Sequence, residues 1–200
     1  QLKDLLDKIG IASFLAHEDI GVSEEWRLRI LEEIGKADLF ICLLSKNYFE
    51  SHWCVQESGI AAFRQGISII PLSLDGTNPR GFISNYQSVK VNPDRITPSD
   101  IITGILKYNK TVGVNLLLDR IARSSSYRDA DANFESVLPY ISEMSEEQVK
   151  MLLERSAENN QIYAAARCAR EYLPPLLKSY GHLITRKTKS FLMKKCKQYA

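Results

Sequence analysis

The chain has 200 residues, 44% of them hydrophobic and 25% charged, enough for one large domain or two small ones with a sizeable buried core. No apolar run approaches the roughly 18 residues that a membrane-spanning helix needs, and no secretory signal pattern opens the sequence. Net charge is +2 but uneven: residues 1–100 carry 10 Lys+Arg against 14 Asp+Glu, and residues 101–200 carry 16 against 10. Cys42, Cys54, Cys168 and Cys196 form no CxxC pair, and His17, His52 and His182 do not cluster with them. Neither a metal site nor a disulfide framework is therefore expected, and reduced cytoplasmic thiols are the default reading.

In chain order, Leu2, Leu5, Leu6 and Ile9 keep helical spacing up to Gly10, a residue suited to a helix C-terminus. Ile11–Ala16 has the length of a strand, and His17–Val22 reads as a polar loop. Ser23 caps the next helix in this reading, with Glu24 and Glu25 in its first turn and Trp26, Ile30, Leu31 and Ile34 as its buried stripe. Leu39–Leu44 is continuously apolar, the pattern of a strand covered on both faces. A helix from Ser51 to Gln65, a strand from Ile67 to Leu74 and a weaker strand from Gln87 to Val91 follow. Thr97-Pro98-Ser99-Asp100 then opens another helix with cap, proline and acid in order. Alternating helices and strands with short loops predict a parallel sheet covered by helices on both sides.

From about Val114 onward only helical periodicity remains. Ser145–Gln148 is a capping box, Ser124–Ser126 reads as a hinge, and a helix is expected to break near Pro174-Pro175. The predicted organisation is an α/β domain over 1–112 and an all-helical domain over 113–200. No acidic residue follows Glu171, whereas seven Lys or Arg residues do. Such a tail can meet nucleic acid or an anionic surface, but it lacks the interleaved aromatics of a nucleic-acid platform and reads as a solvated helix face.

Ligands of open α/β sheets bind outside the carboxyl ends of the strands. His17, Glu18 and Asp19 follow the first predicted strand, Ser45, Asn47 and Tyr48 the second, and Ser73 and Asp75 the third. Trp53 and Glu57 stand four residues apart on one helix face, about 6 Å along the axis. An indole can shield a planar ligand while the carboxylate beside it stabilises a cation or activates an oxygen.

The strings Phe14–Ile20, Glu25-Trp26, Ala37–Ser45, Asn47-Tyr48 and Ser51–Glu57, followed by Ile69–Leu72, Asp75-Gly76 and Pro79–Phe82, resemble the Toll/interleukin-1 receptor (TIR) domain family over about residues 1–110. The resemblance implies a flavodoxin-like sheet and self-association through the loop holding Glu18, Ile20 and Gly21. It also implies an activity of many prokaryotic members, cleavage of NAD+ at the nicotinamide–ribose bond. Ser51, Trp53 and Glu57 match the family's S-x-W-x-x-x-E pattern, which makes Glu57 the expected catalytic residue and Trp53 a wall of the pocket. Ser45 is expected near the ribose, with His17, Asp19 and Tyr48 as further substrate-binding candidates. NAD+ enters as substrate, and no cofactor is implied. The family's first strand, which sits mid-sheet, is expected to precede Gln1. Cytoplasmic antiviral defence is the implied setting, with ADP-ribose or its cyclic form as product. The alternative is a non-enzymatic module acting through TIR–TIR contacts.

Overall fold

The computed structural model describes residues 2–19 and 25–199. Contacts divide the chain into two compact units, 1–110 and 111–200.

In the first unit, α1 (Leu2–Lys8), α2 (Ala16–Asp19), α3 (Trp26–Lys36), α4 (His52–Phe63) and α5 (Pro98–Tyr108) accompany three strands, β1 (Leu39–Leu44), β2 (Ser68–Ser73) and β3 (Val89–Lys90). The strands pair in parallel in the order β1-β2-β3, with Leu39 opposite Ser68 and Leu44 opposite Ser73. Cys42, Leu44 and Ile69 turn to the face covered by Ile30 and Ile34 of α3 and Ala61 of α4. Ile70 and Leu72 turn to the other face, where α5 lies so close that a Cβ on Gly104 would stand 2.7 Å from Ile70 Cγ2. Burial on both faces is why β2 reads as an unbroken apolar run, whereas in β1 only Cys42 and Leu44, on one face, are fully buried.

Side chains fix the joints. Arg64, just past α4, donates to the backbone oxygens of Ile34 (2.9 Å) and Ala37, neutralising the carbonyl end of α3. Thr97 caps α5 as predicted, and Asp100 completes a capping box with it. The Tyr108 hydroxyl donates to the Gln87 carbonyl and accepts from the Gln87 N–H at 2.8 Å. That clasp takes both backbone groups of Gln87 out of the ladder, which shortens the predicted Gln87–Val91 strand to two residues.

Two other expectations change. Residues 11–15 form no strand, and Ala16, expected to end that strand, opens a helical turn with His17–Asp19, expected as loop. Leu15 donates its N–H to the Asp19 carboxylate at 2.6 Å, Asp19 donates its own back to the Leu15 carbonyl, and Lys3 pairs with the same carboxylate. These bonds close a turn where a strand would need a neighbour, and no strand precedes Ile11 among the described residues. Ile30 and Ile34 are buried, but Leu31 is exposed, and so is Trp26 at 47%. Trp26 is the first residue of α3, with Glu25 at its N-cap rather than inside the first turn, and it stands past the end of the buried patch. The expected Ser23 cap and Glu24 lie outside the described residues.

The second unit comprises α6 (Lys110–Ala122), α7 (Tyr127–Val137), α8 (Glu146–Glu158), α9 (Asn160–Tyr163), α10 (Leu173–Tyr180) and α11 (Arg186–Tyr199). Ser145 and Gln148 cap α8 as predicted. The serine run is a pinned corner instead of a hinge. Buried Ser124 accepts from Asn133 at 3.0 Å, Asn159 donates to the carbonyls of Ala122 and Ser124, and Ser126 caps α7. The helix does not break at Pro174-Pro175 either. A single wide π-turn, Cys168–Tyr172, leads directly into α10, whose first turn holds both prolines. Prolines cannot donate to the carbonyls four residues back, so the widening occurs just ahead of them. The Asp131 carboxylate accepts the N–H groups of Cys168 (2.9 Å) and Arg167 (3.4 Å) at the start of that turn. No helix among the described residues is long and apolar enough to cross a membrane.

Because Ile70 is β-branched and fully buried, it has little room to yield to a new methyl group. Gly104→Ala is expected to destabilise the fold by about 1–3 kcal/mol despite the better helix propensity of alanine, measured by denaturant unfolding of the full chain. An unchanged or raised midpoint would show that α5 does not seat on β2 this closely.

Candidate functional site

The site is built at the carboxyl ends of β1 and β2. Leu44 accepts the N–H of Leu74, and Ser73 accepts that of Val91, so the three strands end side by side. Asp75 ties the loops together: one carboxylate oxygen accepts the Lys46 N–H and the other the Thr77 N–H, both at 3.0 Å. Hydrogen bonds from Thr77, with a further one from Lys46, hold the Asp75 carboxyl below its ordinary range. After the extended Ser45 and a short 3-10 turn, Lys46–Tyr48, Ser51 caps α4 by accepting the Cys54 N–H. This cap fixes the helix that carries Trp53 and Glu57.

Helical phase separates the side chains of α4. Ser58 and Ala61 are buried and Cys54 partly so, while Trp53 is 52% exposed. Glu57 falls on the border between the two stripes and is half-buried. Burial raises its carboxyl above the ordinary value of 4.5, and no cation or hydrogen-bond donor among the described residues pairs with it. Burial likewise pushes the Cys42 thiol up to about 12, with smaller pushes from Cys54 and the Glu57 charge. The Glu57 charge thus reaches the buried Cys42 thiol. A carboxylate held there without a partner costs free energy and is poised to receive a cation.

The other predicted site residues divide. Ser45 is half-buried at the end of β1, on the same edge as Glu57. Tyr48 is only 8% exposed and belongs to the core under that edge, its ring edge-on to Phe49 at 5.3 Å. Its hydroxyl lies close to Cys42 and Ser58 but makes no hydrogen bond of ordinary geometry, and burial raises its pKa. Tyr48 therefore faces the packing beneath the edge instead of open solvent. Asp19 lies in α2 with its carboxylate already engaged by Lys3 and the Leu15 N–H. His17 and Glu18 belong to α2 by their backbone, and their side chains lie outside the described residues, as do Ile20 and Gly21. His52 is exposed. Sequence reasoning missed the Asp75 bridge, although Asp75-Gly76-Thr77 has the pattern in which an Asp side chain accepts the N–H two residues on. It also missed Phe82, 84% exposed with its ring 3.7 Å from a Cβ built on Gly59 of α4.

Two stability measurements follow. A carboxyl whose folded pKa is raised binds its proton more tightly in the native state, so its ionisation opposes folding as pH rises above 4.5. Glu57→Gln is accordingly expected to match or exceed the wild type near pH 7, by about 0.5 kcal/mol at most, with the gap closing below pH 4.5. A clear loss of stability at pH 7 would mean that the carboxylate has a structural partner. Tyr48→Phe removes a buried, unpartnered hydroxyl and is expected to change unfolding free energy by no more than about 1 kcal/mol in either direction. A larger loss would show that the hydroxyl is satisfied.

A family model described as TIR domain matches residues 1–100, and no curated protein or solved structure matches the chain. The match covers the three parallel strands, both flanking layers of that sheet as far as the start of α5, and the turn bearing Trp53 and Glu57. With helices on both faces of a parallel sheet, the first unit has the flavodoxin-like architecture of that family, and the chain belongs to the TIR domain family.

Proposed function

We propose that the TIR domain cleaves NAD+ between nicotinamide and ribose, with Glu57 as the catalytic carboxylate. The observation that carries this reading is the condition of Glu57: half-buried, raised by burial, and without a partner among the described residues. In the reaction the C1′–N bond breaks and its electron pair leaves with nicotinamide. Positive charge spreads over C1′ and the ring oxygen, water adds at C1′ and releases a proton. An ionised carboxylate with no other counter-charge interacts far more strongly with that transition state than with the neutral ribose. Exposed Trp53 is available to cover a planar ring, and Ser45 to bond a ribose hydroxyl, with Asp19 and His17 on the neighbouring segment.

Self-association through the segment holding Glu18, Ile20 and Gly21 belongs to this reading, as does a cytoplasmic setting in bacterial defence. The four cysteines are free thiols, which suits a reducing compartment. A second reading, contact signalling without catalysis, is favoured by one observation. Trp53, Ile60 and Phe63 share the outer side of α4, and Phe63 is 90% exposed.

The test is NAD+ loss with the full chain under crowding, comparing wild type, Glu57→Ala and Trp53→Ala. Glu57→Ala is expected to lose about a hundredfold or more. Trp53→Ala is expected to lose about tenfold while remaining folded, because its ring is largely outside the core. Equal consumption by wild type and Glu57→Ala, or none under any assembling condition, would leave the contact reading. In that case Phe63→Ser should abolish assembly measured by light scattering.

A further inference from the structure

The helical unit contains a cleft of about 470 Å³, within the size range of small-molecule sites. Three segments build it. From α10 come Pro174, Leu177 and Lys178, spaced so that they share one helix face. From α11 come Lys189, Met193 and Lys197, again on one face. The π-turn ahead of α10 contributes Arg170. The floor is apolar and contains no aromatic ring, and no carboxylate lines the cleft.

Four cations rim the cleft. Elsewhere Arg155 pairs with Asp119, Arg167 with Glu135 and Glu171, and Lys150 with Glu147. Arg170, Lys178, Lys189 and Lys197 form no ion pair among the described residues. Lys189 is not simply trailing into solvent. It folds back over Gly181, where an added Cβ would stand 2.9 Å from its Nζ, at the carbonyl end of α10 that attracts positive charge. Arg170 sits in the single π-turn, a widening that is frequent at functional sites. What reads from sequence as a solvated basic face is, for these residues, the charged border of a concave apolar surface.

We propose that this cleft binds a single-chain amphiphilic anion, an alkyl chain ending in a phosphate or carboxylate. The alkyl chain lies on Leu177, Met193 and Pro174, and the anionic head is shared among Lys178, Lys189, Lys197 and Arg170. A nucleotide fits less well because no aromatic ring offers its base a stacking surface. The site is independent of the NAD+ reading and stands or falls without it.

The test is calorimetric titration of the full chain with octyl, decyl and dodecyl phosphate, each below its micelle concentration. Decyl maltoside serves as the uncharged control and inorganic phosphate as the head-only control. One-to-one binding is expected, tightening roughly three- to fourfold per added methylene. Neither control should compete. Lys178→Ala with Lys189→Ala should weaken binding about tenfold, and Met193→Asp at least as much, with far-UV circular dichroism unchanged. Lys150→Ala, which alters a cation away from the cleft, should have no effect. Equal affinity for decyl phosphate and decyl maltoside, binding of inorganic phosphate as tight as that of the alkyl phosphates, or binding only to phosphatidylglycerol vesicles would each overturn the proposal.

Discussion

The pairing of β1 with β2 is the constraint on which the first unit depends. Six residues of each strand lie in register from Leu39 opposite Ser68 to Leu44 opposite Ser73, and parallel pairing makes both carboxyl ends finish together. β2 is buried on both faces and β1 on the face of Cys42 and Leu44, so a slip of one residue would turn those two side chains out of the core. Everything chemical follows from where that pair stops. Asp75 bridges the two emerging loops, Ser51 starts α4 directly beyond β1, and the helix phase then decides which residues reach the edge.

Glu57 is the point at which that geometry conflicts with stability. A half-buried carboxylate whose charge reaches the Cys42 thiol gains nothing from its surroundings, and the fold offers it no counter-charge among the described residues. Tyr48 nearby is a second unresolved polar group, its hydroxyl buried without a partner. Both lie near the carboxyl ends of the strands, where the Ser73 hydroxyl is also buried without a partner. Local cost concentrated at one edge is what a preorganised site requires, since a ligand cation can then supply the missing interaction. The helical unit sets four cations, none of them ion-paired among the described residues, around an apolar cleft.

Much of the fold was legible because the elements with continuous apolar runs or explicit caps announce themselves. Leu39–Leu44 is a strand to the residue, and Thr97 and Ser145 begin helices as their sequence patterns require. Three of the failures share a cause: a side-chain hydrogen bond outcompeted local pattern. Asp19 and Lys3 turned residues 11–19 away from a strand, the Tyr108 hydroxyl removed Gln87 from its ladder, and Asn133 with Asn159 converted a serine run into a fixed corner. At the site, the Trp53 and Glu57 spacing was readable, whereas their unequal burial was not. Which side of α4 faces the core depends on Ile30, Ile34 and Cys42, far away in sequence. The core position of Tyr48 escaped for the same reason.

The central claim is that the ionised form of Glu57 performs the chemistry. Nicotinamide release by the wild-type chain, followed from pH 3.5 to 8 under assembling conditions, addresses it most directly. The account predicts a rate that rises with pH, with its midpoint above 4.5, and the rise should be absent in Glu57→Gln. A rate independent of pH across that range, or the same rise in Glu57→Gln, would contradict it.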